Sequence, residues 1–413
     1  MTGDKVAPPL SVRYLVDMSR RLLGAALACG LMASPLACGG GNKPVTTAKT
    51  KKQKKTERKV LLLDARTQAR AGDIDAADQA YAAAYELEKD FAVMQERIAF
   101  LIGVGRVPRA EEVARAFYDA NPTAAKGYGL YAEALIAGGK GKEALEIAES
   151  MIALDAEDPV GHEKRGRALI LVDKPQEGIE ALRKAVSLDP DLAASHMALG
   201  AALHKNGDVN EAALEFRAAI KSAPDDALAN ALLGMALRDQ NEIDEGKQYL
   251  QKAIELDPNN GRAYFELGVL YNRTGNQAEA ESALSKAVQK SPNESTYWYA
   301  YGEIYRVQQR IDEAVNAYRR AVDLDPPHPK AITKLGRLLI ERKQYDEAEA
   351  MLTSGIRRDK ANAANYFNLA AVYAAKRKNK LAIENYQHFL ELAPKNDPDR
   401  AEARDAIAKL KRR

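Results

Sequence analysis

Apolar positions in this chain fall into a pattern that repeats every 34 residues. Across 261–294 the pattern reads Tyr264, Leu267, Gly268 and Tyr271, then Ala280 and Pro292. The next stretch reads Trp298, Tyr301, Gly302 and Tyr305, then Ala314, Tyr318 and Pro326. Spacings of three and four put such residues on one helix face, so each stretch predicts two helices, A and B. A turn such as Asn206-Gly207-Asp208 divides them.

The places have distinct physical jobs. Glycine recurs at the eighth place, as Gly166, Gly200, Gly234, Gly268, Gly302 and Gly336. A side chain there would push A away from B. Alanine at the twentieth place, from Ala110 and Ala144 to Ala348 and Ala382, does the same from helix B. Trp298 and Tyr264 open helix A and are expected to bury their rings against the neighbouring helix. Leu-Asp-Pro, as in Leu256-Asp257-Pro258, ends helix B, because proline lacks an amide donor and disfavours helix before it. Counted from Phe91 to Asn396, the register never slips.

The ends depart from the pattern. Glu57–Asp90 reads as a degenerate hairpin whose turn, Gly72-Asp73, is displaced by one residue. Ile98 stands where glycine is expected, and Lys360 where proline is expected. After Asn396, Asp397-Pro398 opens a last helix with a narrow apolar stripe of Ala403, Ile407 and Leu410. Its Arg400, Arg404, Lys409 and Lys411 are expected to face water, which suits a capping helix.

The pattern Trp-x2-Leu-Gly-x2-Tyr, central alanine and closing proline resembles the tetratricopeptide repeat family. The resemblance implies an all-α, α-α superhelix of about ten helix-turn-helix repeats. The units are 57–90, 91–124, 125–158, 159–192, 193–226, 227–260, 261–294, 295–328, 329–362 and 363–396, with the cap at 397–413. In that family places 2, 5, 9, 12 and 13 of helix A line a groove. Mapped here, place 12 gives His204, Arg238, Asn272 and Arg306; place 13 gives Arg273; place 9 gives Glu303 and Arg337; place 5 gives Phe265, Tyr299 and Phe367. Guanidinium forks pair with carboxylates, and rigid rings give contact area at low entropy cost. The expected peptide-binding residues are Arg238, Phe265, Asn272, Arg273, Tyr299, Arg306 and Arg337, holding an acidic segment of another protein across 227–362. Neither the chaperone carboxylate clamp nor the asparagine ladder of glycosyltransferase repeats is matched; Asn368 is the lone asparagine at the ladder's place in the units from 193 to 396.

Composition narrows the function. Apolar residues make up 46% of the chain but aromatics only 6%, which suits closely packed, alanine-rich helices. A net charge of +3 gives no footprint for nucleic acid. The two cysteines, Cys29 and Cys38, precede the repeats, and the five histidines are scattered. No HExxH, CxxC or phosphate-loop motif occurs. Asp244 and Glu245 read as a charged turn. A non-catalytic protein without cofactor or metal is expected.

The first residues read as an address. Arg20 and Arg21 precede an uncharged stretch, Leu22 to Asn42, as in a secretory signal; Met18 is a better start, making 1–17 an over-extension. The run Leu36-Ala37-Cys38-Gly39-Gly40 resembles the lipobox of bacterial lipoproteins and marks Cys38 for lipid within a segment 1–38. Pro35 replaces the usual leucine, and Cys29 is a competing candidate. Ordinary secretion and an uncleaved anchor are the alternatives, although the truly apolar part falls short of the roughly 20 residues a span needs. By resemblance, Gly39 favours the periplasmic face of the outer membrane. Residues 39–56, rich in glycine and lysine, are expected to be a flexible tether, either a solvated spacer or one drawn to anionic lipid or cell-wall polymer. The build resembles accessory lipoproteins of type IV pilus, gliding-motility and secretion machines. It implies an envelope scaffold, with a cell-wall or polysaccharide-export adaptor, or an accessory subunit of an envelope enzyme, as alternatives.

Overall fold

The structure is a computed structural model that describes residues 50–412, apart from 123 and 325–327. Cys29, Cys38 and the expected signal segment lie outside the described residues. Among those described there are helices and no strands. They form two compact bodies that meet in sequence at Lys174 and Pro175. The first holds α1 (Lys51–Ala71), α2 (Ile74–Glu88), α3 (Phe91–Gly103), α4 (Val107–Ala120), α5 (Ala125–Ala137), α6 (Gly141–Leu154) and α7 (Pro159–Leu171). The second opens with α8 (Pro175–Leu188), α9 (Ala193–Asn206), α10 (Val209–Ser222), α11 (Ala227–Asp239), α12 (Ile243–Leu256), α13 (Gly261–Arg273) and α14 (Gln277–Lys290). It continues with α15 (Ser295–Val307), α16 (Ile311–Asp323), α17 (Pro329–Glu341), α18 (Tyr345–Arg358), α19 (Ala363–Ala375), α20 (Asn379–Leu392) and α21 (Asp399–Lys411). Odd-numbered helices up to α19 are A helices, and even-numbered ones are B helices.

Local chemistry sets the boundaries. Asp90, Asp158, Asp226, Asn260 and Asn362 all hold the last place of a repeat, and each side chain accepts an amide at the start of the next A helix. Between A and B the chain turns left-handed at the fifteenth place. Gly105, Gly139, Gly207 and Gly275 take positive φ there, and so do Asp173, Asn241, Gln309, Lys343 and Arg377. The following amide reaches back five residues, as from Lys140 to Leu135 and from Arg310 to Tyr305. This is the Schellman closure, in which glycine costs least.

The crossing of A and B depends on complementary volumes. A methyl group on Gly268 would sit 2.6 Å from Leu284 Cγ, and one on Gly302 2.7 Å from Tyr318 Cε1. Gly200 meets Phe216, Gly234 meets Leu250 and Gly336 meets Leu352 in the same way. The twenty-fourth place thus fills the space that the eighth leaves open. In the repeat 91–124 the sizes are exchanged: Ile98 holds the eighth place and Ala114 the twenty-fourth, both buried in one core cluster. The departure at Ile98 is therefore compensated. Alanines of the twentieth place, Ala110, Ala144, Ala212, Ala280, Ala314, Ala348 and Ala382, are all fully buried.

Two expectations need correction. Residues 51–56 are the opening of α1, not part of a flexible tether. Thr50 caps that helix reciprocally with Gln53, a capping box that outweighs the run of lysines. The rings of Trp298 and Tyr264 are half-buried, not sealed, and in several repeats the polar edge of the fourth-place side chain binds the chain. Trp298 donates to the Pro292 carbonyl at 2.8 Å, Tyr128 to that of Pro122 at 2.9 Å, and Asn230 to that of Pro224 at 3.4 Å. His162 and His196 bond the matching carbonyls of Ala156 and Pro190. In these five repeats the fourth place is a clasp on the link between repeats.

Candidate functional site

The residues expected to line a groove divide into closed and open ones. Arg238, on α11, is closed. Its Nε donates to Asp239 at 2.9 Å and its Nη1 to Glu266, which is only 4% exposed. His204 lies 2.8 Å from the other Asp239 oxygen. Arg238 is thus an internal tie between α11 and α13, and its expected role as a free anchor for an acidic partner is corrected. Arg273 is also engaged: it donates to the Arg238 carbonyl at 2.8 Å and to Asn241 at 3.3 Å, closing the end of α11. Asn272 is exposed and accepts from Gln277 at 3.2 Å.

The open set lies on α13, α15 and α17. Phe265 stacks on Tyr297 with centroids 4.6 Å apart, and Tyr299 stacks on His328 at 4.0 Å. All four rings are half-buried, each leaving part of its surface to solvent. Arg306 donates to Glu303 at 3.0 Å while its Nε is buried without a partner. Glu303 also accepts from Tyr318 and lies 3.7 Å from Lys334, so these partners hold its carboxyl below the usual range against the upward push of burial. Arg337 is the most exposed, at 74% of its side chain, with Glu341 at 3.6 Å. Phe367, two repeats on, packs edge-on against Phe389 at 5.0 Å and Tyr386 at 5.5 Å.

The first body holds a cluster that sequence reasoning missed. Glu133 on α5 and Glu163, Lys164 and Arg167 on α7 occupy the fifth, sixth and ninth places. Lys164 bonds Glu133 at 2.6 Å and Glu163 at 2.7 Å. Arg167 bonds Glu133 at 2.6 and 3.0 Å and Glu163 at 3.0 Å. Burial alone would raise the Glu133 carboxyl, but Lys164 and Arg167 pull it down to about 2. Glu163 is 2% exposed. Two carboxylates and two cations neutralise one another here, so the cluster offers a partner no unmet charge.

Among the described residues no group of three or more His, Cys, Asp or Glu is placed to hold a metal ion, and no helix is long and apolar enough to cross a membrane. Known proteins supply the remaining context. The tetratricopeptide repeat family matches residues 101–159, 164–227 and 232–295. The tetratricopeptide repeat domain of cytochrome c-type biogenesis protein H matches 278–400. This chain is a tetratricopeptide repeat protein. None of the curated protein sequences matches it. Among solved structures it is similar to the APC/C hetero-tetramer Cut9-Hcn1, at 15% identity and a TM-score of 0.52, over 86% of this chain and 76% of that one. The human IFIT1 dimer with m7Gppp-AAAA is similar at 15% identity and a TM-score of 0.52, over 81% and 90%. At such identities the likeness is one of fold.

As a tetratricopeptide repeat protein, the chain is an interaction scaffold whose repeats hold other proteins. The half-open rings suit that task, since aromatic faces bury area with few rotamers to freeze. Three signals that would have found the missed contacts were present in the sequence. Arg238 and Glu266 lie 28 residues apart, at the twelfth place of one repeat and the sixth of the next. Glu133 and Arg167 share the ninth place in successive repeats, and His162 and His196 share the fourth.

Proposed function

We propose that this protein is a non-catalytic scaffold of a bacterial cell envelope. It is carried by a lipid on Cys38 at the periplasmic face of the outer membrane, and positions partners within a motility or secretion machine. The N-terminal run with its lipobox-like Leu36-Ala37-Cys38-Gly39 supports the address, and the match to an assembly protein's repeat domain over 278–400 suits a role in building others. The binding face is the open set on α13, α15 and α17: Phe265, Tyr297, Tyr299, Arg306 and Arg337. The observation that carries this reading is the pair of half-exposed ring stacks, together with Arg337 on α17, whose charge is the least engaged of the groove arginines.

The partner segment is amphipathic, with apolar side chains for the rings and a carboxylate for Arg337. A combined Phe265→Ala, Tyr299→Ala and Arg337→Glu variant should lose a partner that the wild type retains from solubilised membranes. Equal retention by a stably folded variant contradicts the face. The anchor is tested separately. Cys38→Ala should move the protein out of the membrane fraction in salt-washed envelopes, and unchanged fractionation contradicts the lipid.

A further inference from the structure

Helix α1 is unlike the other A helices. It is 21 residues long where α3 to α19 have 13 or 14, and its first six residues, 51–56, are all exposed. Its first turn carries Lys51, Lys52 and Lys54 and no acid. That arrangement opposes the helix dipole, whose positive end favours anions. Lys51, Lys52, Lys54, Lys55 and Lys59 make no ion pair among the described residues. Arg58, by contrast, is held by Glu88 at 3.0 Å and by Asp90.

The exposed side of α1 is not purely basic. Lys52, Lys55 and Lys59 flank Val60 and Leu63 at helical spacing, and Leu63 is 67% exposed. An open hollow of about 450 Å³ lies beside Lys52, Thr56, Val60 and Leu61. Helices that lie in a bilayer interface combine cations with apolar side chains on one face. A dissolved polyanion would engage the lysines but gain nothing from Leu63. Twelve residues lie between Cys38 and Lys51, a reach of at most roughly 45 Å over the thirteen Cα steps. The position therefore suits a membrane held by the lipid.

We infer that the outer face of α1 docks on anionic lipid headgroups, with Lys52, Lys55 and Lys59 on the phosphates and Val60 and Leu63 entering the acyl boundary. The inference extends the envelope reading, but its test does not depend on Cys38 being modified. Full-length protein carrying Trp298→Phe and Leu63→Trp is mixed with phosphatidylcholine vesicles, with and without phosphatidylglycerol, in which the lipid chains are brominated. Indole quenching should appear with the anionic vesicles alone and vanish in high salt. Lys52→Gln, Lys55→Gln and Lys59→Gln together should lower partitioning about 100-fold, from about 1 kcal/mol per basic residue.

No quenching on anionic vesicles overturns the inference, as does equal quenching on neutral ones. Lysine-dependent binding of anionic cell-wall polymer or DNA, without quenching on vesicles, assigns the face to a soluble polyanion instead. Circular dichroism on each variant confirms folding. If Cys38→Ala leaves fractionation unchanged while quenching persists, the lipid anchor fails and the helix survives.

Discussion

The two bodies solve the same geometric problem with different side chains. In the first, the fifth, sixth and ninth places of the A helices hold Glu133, Glu163, Lys164 and Arg167, locked into one network with Glu163 2% exposed. In the second, the fifth and ninth places from 261 onward hold Phe265, Tyr299, Glu303 and Arg337, which keep part of their surface in water. A place in the repeat says which way a side chain points. Its neighbours one repeat away decide whether it has anything left to offer. Charge in the groove is therefore poor evidence for a charged partner until its internal pairs are known.

The contrast can be broken at several points. Glu163→Ala should be the most damaging change, because it leaves Lys164 buried beside a single carboxylate; urea denaturation should show a loss of about 3–5 kcal/mol. Next is Gly302→Ile, where the new side chain meets Tyr318; overpacking should cost about 3 kcal/mol. Adding Tyr318→Ala imitates the Ile98 and Ala114 arrangement of the first body. The double variant should lose less than the sum of the singles, by at least about 1 kcal/mol. Strict additivity would show that the two places do not compensate.

Acid sharpens the comparison further. The folded Glu133 carboxyl titrates near 2 against an ordinary value of 4.5. Its contribution to stability is full above the ordinary value and is lost as pH falls from there toward 2. Glu133→Gln should flatten the acid limb of a stability profile over that window, and an unchanged limb would contradict the network. Smaller effects belong to the open face. Tyr299→Ala should cost about 1.5 kcal/mol in denaturation, since the ring is half-buried and stacked. Arg337→Glu should stay within about 0.5 kcal/mol, while still weakening partner capture.

Much of the fold was legible because glycine, alanine and proline recur at places where backbones approach or helices end. Gly268 and Ala280 announce a crossing, and Pro258 a helix end. The compensation at Ile98 was hidden because it needs the twenty-fourth place read beside the eighth. The start of α1 was misjudged because lysine content was weighed ahead of the Thr50 and Gln53 cap. The site was less legible. Tyr299 and Arg337 sit on an open face, but Arg238 needed the knowledge that Glu266 is buried against it. Replacing Arg238 by glutamate would put a second acid beside Glu266 and damage the fold whatever the groove binds.

The most direct test compares two variants of matched stability for retention of a defined envelope partner. One carries Phe265→Ala, Tyr299→Ala and Arg337→Glu on the open face; the other carries Glu133→Gln in the closed network. Loss of the partner in the first alone is the predicted result. Equal retention by both, or loss in the second alone, would contradict the assignment of binding to the open rings.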